Sequence, residues 1–364
     1  MNNTNKNILV APLNWGLGHA TRCIPVIREL EKNGFTPILA SDGAALELLK
    51  NEFQHLTILE LPSYKIEYAK NPKNLKWKFL AHCPSLIEAV HSEKRIVKKW
   101  VNEYDLHGII SDNRLGVYSK KIPSIYITHQ INIVSGKSNL FLSKLHQFFI
   151  KKFDECWVPD YEKNPNLTGL LGHSNNRKLN LKYIGPISRL QKKDMPVKYD
   201  LMVILSGPEP QRSLLEQKLM NEIKSFDGEI IFIRGMVEPE QKTEKSNNIT
   251  YYNFLTAGEL ETAFNESKII VSRSGYTTIM DLAILGKKAF LIPTPGQPEQ
   301  EYLAKKMKRE GRFPYAKQEQ FQINKLHEIQ LYKGYSNITT KTDWTQLFQV
   351  FDLVKKEKHQ LLNL

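Results

Sequence analysis

The strongest constraint in this chain is an alternation. Short apolar, β-branched runs recur from Ile8 to Ile292, with amphipathic, helix-patterned stretches between them. In the first half the runs are Ile8–Ala11, Pro37–Ser41, Thr57–Leu61, Gly108–Ser111, Ser124–Thr128, Cys156–Pro159 and Tyr183–Pro186. Between the first two, His19–Asn33 has a helical pattern and is followed by Gly34, placed as a C-cap. Strands that alternate with helices predict parallel sheets covered on both faces. At Gln191-Lys192-Lys193-Asp194-Met195-Pro196 the pattern lapses into polar residues and a proline, which marks a linker. Alternation resumes with Leu201–Leu205, Glu229–Ile233, Ile249–Phe254, Ile269–Ser272 and Ala289–Ile292. The expectation is an α/β chain with a first domain over 1–190, a linker over 191–200, a second domain over 201–340 and a closing segment over 341–364. That last segment holds an amphipathic stretch, Trp344–Lys356, suited to packing back on the first domain. A length of 364 residues with 41% hydrophobic content is enough for two cores.

Composition narrows the function classes. Cys23, Cys83 and Cys156 are scattered, with neither metal-ligand spacing nor a disulfide framework, so a reducing compartment and no metal are expected. Met1 to Lys6 lacks the layout of a signal peptide, and no apolar stretch reaches bilayer length. The expected location is therefore cytoplasmic, either soluble or peripheral. A net charge of +13 favours an anionic partner: nucleic acid, anionic lipid or a phosphorylated substrate. A Lys- and Asn-rich composition arises equally from genomic base bias, so charge does not choose the partner. No nucleic-acid recognition motif is present, and none is expected to bind.

Three strand-to-helix junctions carry glycine. In Asn14-Trp15-Gly16-Leu17-Gly18-His19, Gly16 and Gly18 let backbone approach a ligand, and the following helix start favours anions. A tight turn needs glycine for its own sake too. The third glycine of a dinucleotide fingerprint is missing, and Asp42-Gly43 reads as the start of the next helix or turn rather than a ribose site. His19 is either a proton acceptor facing a ligand or a histidine that hydrogen-bonds its own loop. In Arg273-Ser274-Gly275-Tyr276-Thr277-Thr278, hydroxyls and an arginine lead into a helix, Ile279–Leu285, that Gly286 closes. The alternative there is a helix with good Ser/Thr caps. Asp281, inside that helix, is placed either for vicinal ribose hydroxyls or simply near the positive end of the helix dipole. Pro293-Thr294-Pro295-Gly296-Gln297-Pro298-Glu299-Gln300-Glu301 enters a further helix with amide and carboxylate groups fit for sugar hydroxyls. Ser206-Gly207-Pro208 opens the second half at the third junction.

Taken together these residues resemble the nucleotide-sugar glycosyltransferases of family 28, built from two Rossmann-like doubly wound domains facing across a cleft (the GT-B architecture). Gly16-Leu17-Gly18-His19 is similar to the family's Gly-Gly-His loop, and Thr128-His129-Gln130-Ile131-Asn132 to its His-Glu-Gln-Asn segment. Arg273-Ser274-Gly275 through Asp281 to Gly286, then Pro293 through Gln300-Glu301, follows the family's order of strand, turn, helix, strand and Gln-bearing helix start. The resemblance implies His19 as general base, helped or rivalled by Asp112. It implies the donor diphosphate on Arg273, Ser274, Gly275 and Thr277, with Ser206 and Gly207 nearby. Asp281 would take the ribose, Phe254 the base, and Gln300 with Glu301 the transferred sugar. The implied reaction is metal-independent, inverting transfer from a UDP-sugar, first guess N-acetylglucosamine, to a glycan or lipid-linked hydroxyl. No cofactor is needed beyond the UDP-sugar co-substrate. Hydrolysis of the nucleotide-sugar, or binding without turnover, are the rival activities.

The chain departs from the family where Asp281 replaces Glu, where Glu301 replaces a second Gln, and where Ser111-Asp112-Asn113-Arg114-Leu115-Gly116 replaces a glycine-rich loop. Basic and aromatic residues at Asn71–Leu80, Lys94–Trp100 and Leu140–Lys152 suit either docking on the inner face of an anionic cytoplasmic membrane or ordinary amphipathic helices.

Overall fold

The computed structural model of the chain describes residues 6–64, 83–134, 139–207, 209–236, 238, 240–335 and 342–352. The stretch Asn71–Leu80 lies outside them. Two compact units divide between Ile187 and Ser188, and residues 342–352 belong with the first.

The first unit is a parallel sheet of seven strands: β1 (Lys6–Pro12), β2 (Phe35–Ser41), β3 (Thr57–Glu60), β4 (Leu106–Asp112), β5 (Ser124–Ile127), β6 (Glu155–Val158) and β7 (Leu181–Tyr183). Their order is β3-β2-β1-β4-β5-β6-β7, every pair parallel. Ile8, Leu9, Val10 and Ala11 are wholly buried, as a central strand covered on both faces requires. Helix α1 (Gly18–Lys32) buries Ala20, Cys23, Ile24, Ile27 and Leu30 at helical spacing. It stops at Gly34, whose φ of 79° only glycine adopts readily. The unit also holds α2 (Gly43–Glu52), α3 (Cys83–Glu103) and α4 (Asn139–Ile150). In Lys94–Trp100 the bland reading holds: Val97 and Trp100 are buried in the core while Lys94, Lys98 and Lys99 face solvent.

The second unit is a six-stranded sheet: β8 (Tyr199–Ile204), β9 (Ile230–Ile233), β10 (Thr243–Ser246), β11 (Ile249–Tyr252), β12 (Ser267–Ser272) and β13 (Lys288–Leu291). The order is β10-β11-β9-β8-β12-β13. All pairs are parallel except the edge pair β10–β11, an antiparallel strand that the alternation does not foretell. Its residues Thr243-Glu244-Lys245-Ser246 are all exposed and polar, so no apolar pattern announces them. The helices are α5 (Gln211–Glu222), α6 (Ala257–Asn265), α7 (Tyr276–Leu285) and α8 (Pro298–Arg309). The stretch expected as a linker is laid along α6: Gln191 N donates to Glu261 at 2.8 Å and Lys193 N to Asn265 Oδ1 at 2.9 Å.

The C-terminal helix α9 (Trp344–Phe348) is short. It packs within the first unit, with the Phe348 ring 5.6 Å from Phe35 and 6.2 Å from Trp157. Gly108 on β4 is needed for this, since a Cβ there would meet the Phe351 ring at 2.3 Å.

Candidate functional site

In a doubly wound sheet the crevice for a ligand opens where the strand order reverses. In the first unit that point lies between β1 and β4, which pair with Pro12 opposite Asp112. Both residues that follow these strands in the reading above sit there. His19 occupies the first turn of α1, with 15% of its side chain exposed. Asp112 ends β4, fully buried, with Oδ1 2.8 Å from His19 Nδ1. Arg22 lies one helical turn beyond His19, on the same face. It is 1% exposed and grips Asp112 side-on, Nε donating to Oδ2 and Nη2 to Oδ1. Its Nη1 lies 2.8 Å from Nδ1 of His129.

Burial opposes ionisation of Asp112, but Arg22 and then His19 outweigh it and hold the carboxyl well below the usual range. Asp112 is therefore no base at neutral pH. Of the two parts expected for Asp112, rival base or helper, this geometry favours the helper that orients His19. Burial, then the Arg22 charge, lower the proton affinity of His19 against the pull of Asp112. At pH 7 its imidazole is neutral, the form that accepts a proton.

A second buried network braces the same strand ends. Arg114, fully buried, pairs with Asp42, donates to Glu93 Oε1 at 2.8 Å and to Pro12 O at 3.0 Å. Asp42 is thus an ion-pair partner at the start of α2. Tyr64 OH donates to the other oxygen of Glu93 at 2.7 Å.

The second unit reverses order between β8 and β12. Ser206 and Gly207 follow β8, both exposed, and Gly207 has a φ of 102°. After β12, Arg273 and Ser274 turn inward. Arg273 is 1% exposed and donates to Gln211 O at 2.8 Å, Pro293 O at 3.2 Å and Ile292 O at 3.3 Å. The Ser274 hydroxyl is fully buried and donates to Gln300 O at 2.8 Å. Both side chains expected at the donor diphosphate are thus turned onto the protein's own carbonyls. They fasten the starts of α5 and α8 around the turn. Gly275 remains, at the N-cap of α7, with φ −68° and ψ 145°. Any residue adopts that conformation, and a Cβ there would meet nothing nearer than Thr278 Oγ1 at 3.9 Å. The protein's own geometry does not demand glycine here. Space lies beside the positive end of the helix, and Thr277 borders it, partly exposed.

Asp281, in the second turn of α7, accepts from Ser188 Oγ. Burial raises its pKa to about 6, against the pull of that hydrogen bond. Phe254, after β11, is half-buried. Gln300 and Glu301 turn oxygens onto their own loop: Thr294 N donates to Gln300 Oε1 at 2.9 Å and Gly296 N to Glu301 Oε1 at 3.1 Å. Gly16 has a φ of 75° with open space beside it, and Gly18 opens α1.

The structure thus gathers His19 with Asp112 in one unit, and Gly275, Thr277 and Asp281 on one helix in the other. Sequence reasoning missed Arg22 and Asn113, and gave His129 no role. The three-residue spacing from His19 to Arg22 was the available signal.

Known proteins resemble this chain in sequence and in fold. Residues 210–356 match the model of the glycosyltransferase family 28 C-terminal domain. The UDP-N-acetylglucosamine--N-acetylmuramyl-(pentapeptide) pyrophosphoryl-undecaprenol N-acetylglucosamine transferase of Buchnera aphidicola subsp. Schizaphis graminum (strain Sg) is 27% identical over 219 residues. That alignment takes in 58% of this chain and 57% of the relative, so it spans little over half the relative's length. The protein of the same name from Baumannia cicadellinicola subsp. Homalodisca coagulata is 24% identical over 291 residues, 77% of each chain. The crystal structure of Acinetobacter baumannii MurG shares the fold, with a TM-score of 0.55 and 16% identity over 97% of this chain and 99% of that one. The chain thus has the GT-B fold, and its second unit carries the likeness to the family 28 C-terminal domain.

Proposed function

We propose that this glycosyltransferase moves a sugar from a UDP-sugar, first guess N-acetylglucosamine, to a hydroxyl of a glycan or lipid-linked acceptor, with inversion and without a metal. The observation that carries the donor half is Gly275: a glycine that the fold does not need, at a helix start with room for a Cβ, inside the family-matched region. A diphosphate seated there meets the amides of the first turn of α7 and the hydroxyl of Thr277. As the glycosidic bond breaks, the leaving UDP gains charge where these donors already point. Asp281 takes the ribose hydroxyls, exchanging its bond from Ser188 for bonds from the ligand.

The first unit supplies the base. Nδ1 of His19 lies 2.8 Å from both Asp112 Oδ1 and Arg22 Nη2; with Arg22 spent on the carboxylate, the Nδ1 proton goes to Asp112 and Nε2 keeps its lone pair. Nε2 removes the acceptor's proton as the hydroxyl attacks the anomeric carbon in a single displacement, a role worth about 10²–10⁴ in rate. The relatives named above act on N-acetylglucosamine and a pyrophosphoryl-undecaprenol acceptor, which supports the choice of sugar and of a lipid-linked acceptor.

A lipid-linked acceptor also accounts for α4. Leu140, Phe141, Leu145 and Phe148 are 80%, 71%, 47% and 58% exposed on this helix, with Lys144, Lys151 and Lys152 exposed alongside. Apolar residues ringed by lysine suit the inner, anionic face of a membrane. Among the described residues no helix is long and apolar enough to cross one.

A thermal-shift panel of nucleoside diphosphates and their sugars tests the donor. UDP and one UDP-sugar are expected to raise the Tm, and no response to any of them refutes the reading. Incubation with that donor alone then separates the activities. Rapid release of free sugar makes the chain a hydrolase.

A further inference from the structure

We propose that Asn113, Tyr126 and His146 form a positioning chain that tunes the proton affinity of the His19–Asp112 pair; it rests on His19 being the base. Asn113 follows Asp112 with a φ of 58°, a left-handed conformation that asparagine tolerates better than most side chains. Its side chain bears on the pair: Nδ2 donates to Asp112 Oδ1 at 3.2 Å and lies 3.3 Å from His19 Nδ1. On the other side, Tyr126 OH donates to Asn113 Oδ1 at 3.2 Å. The Tyr126 oxygen in turn lies 3.1 Å from Nε2 of His146 on α4, and the two rings meet edge-on at 5.9 Å. Tyr126 is 1% exposed, so water does not substitute for these partners.

Burial lowers the pKa of His146 to about 4, so the ring stays neutral; Tyr126 spends its one proton on Asn113, which makes His146 Nε2–H the donor to the Tyr126 oxygen. All donors then run one way, from His146 through Tyr126 and Asn113 to the Asp112 oxygen that His19 also uses. A carboxylate oxygen already taking a hydrogen bond stabilises an imidazolium less. The chain therefore keeps His19 less basic than Asp112 alone would leave it. The charged and titratable groups facing His19 are Arg22 on α1, Asp112 on β4 and His129 after β5. Those bearing on His146 are Tyr126 and His129. Arg22 fixes the carboxylate by itself, which leaves tuning as the contribution of the chain.

The test needs no acceptor. NMR titration of ¹³C-histidine-labelled full-length protein, with the His19 signal assigned by its loss in His19→Gln, reads the His19 pKa directly. In Tyr126→Phe, Asn113→Gly and His146→Leu it is expected to rise by about half a pH unit. His146→Gln returns an N–H donor and is expected to restore the native value. Glycine at 113 keeps the backbone conformation, so a fold lost through Tyr126→Phe still leaves two variants to decide. A His19 pKa unchanged in every folded variant overturns the proposal. Failure of the base assignment is read separately: His19→Gln would then turn over the UDP-sugar at the native rate.

Discussion

At the scale of single residues the account turns on which groups carry charge. Asp112 is ionised and spent on Arg22, so replacing it acts first on the fold. Asp112→Asn leaves Arg22 buried and under-paired, and is expected to cost about 3–5 kcal/mol in urea unfolding. His19→Ala removes a partly exposed ring and is expected to leave stability nearly intact while cutting turnover by about 10²-fold or more. Equal damage to stability from both would contradict the division of roles. Asp281 behaves in the opposite sense. Its folded pKa, about 6, lies above the unfolded carboxylate's, so the native state binds the extra proton between about pH 4 and 6. Its burial therefore weakens the fold above pH 6, and that penalty disappears as pH falls through the window. Asp281→Asn is expected to raise the Tm at pH 7.5, to lose that advantage near pH 4, and to bind UDP more weakly. His19 and Asp112 were legible because strand ends and glycine neighbours mark them. Arg22 was not, because an arginine in an apolar-periodic helix reads as solvated until its tertiary partner is known. The bonds of Arg273 and Ser274 were illegible for a related reason: composition names a donor but not the carbonyl it is spent on.

Elements explain the rest of the legibility. Buried parallel strands such as β1 announce themselves by unbroken apolar runs, and α1 and α7 by periodicity with a glycine stop at Gly34 and Gly286. The edge strand β10 carries no such pattern, since nothing on it is buried. The helix α4 is the telling case of apolar residues that are not core, Leu140, Phe141, Leu145 and Phe148. Serine at Phe141 and Phe148 is expected to abolish sedimentation with vesicles containing about a third anionic lipid, while leaving the UDP-induced Tm shift unchanged. Vesicle binding that survives both changes would assign the helix to another partner. A variant that also loses the UDP response would show that α4 supports the fold instead.

For the molecule as a whole, the proposed reaction divides its chemistry between two doubly wound units, donor on one and base on the other. The excess of positive charge, +13 over 364 residues, suits both a diphosphate donor and an anionic surface without specifying either. The proposed donor site turns on a single glycine, Gly275. Calorimetric titration of UDP into the native chain and into Gly275→Ala asks whether a diphosphate uses it. The methyl group fits the protein and should change stability by no more than about 1 kcal/mol. The account predicts that it weakens UDP binding at least about tenfold, or about 1.4 kcal/mol. Native affinity in the alanine variant would place the diphosphate elsewhere and contradict the account.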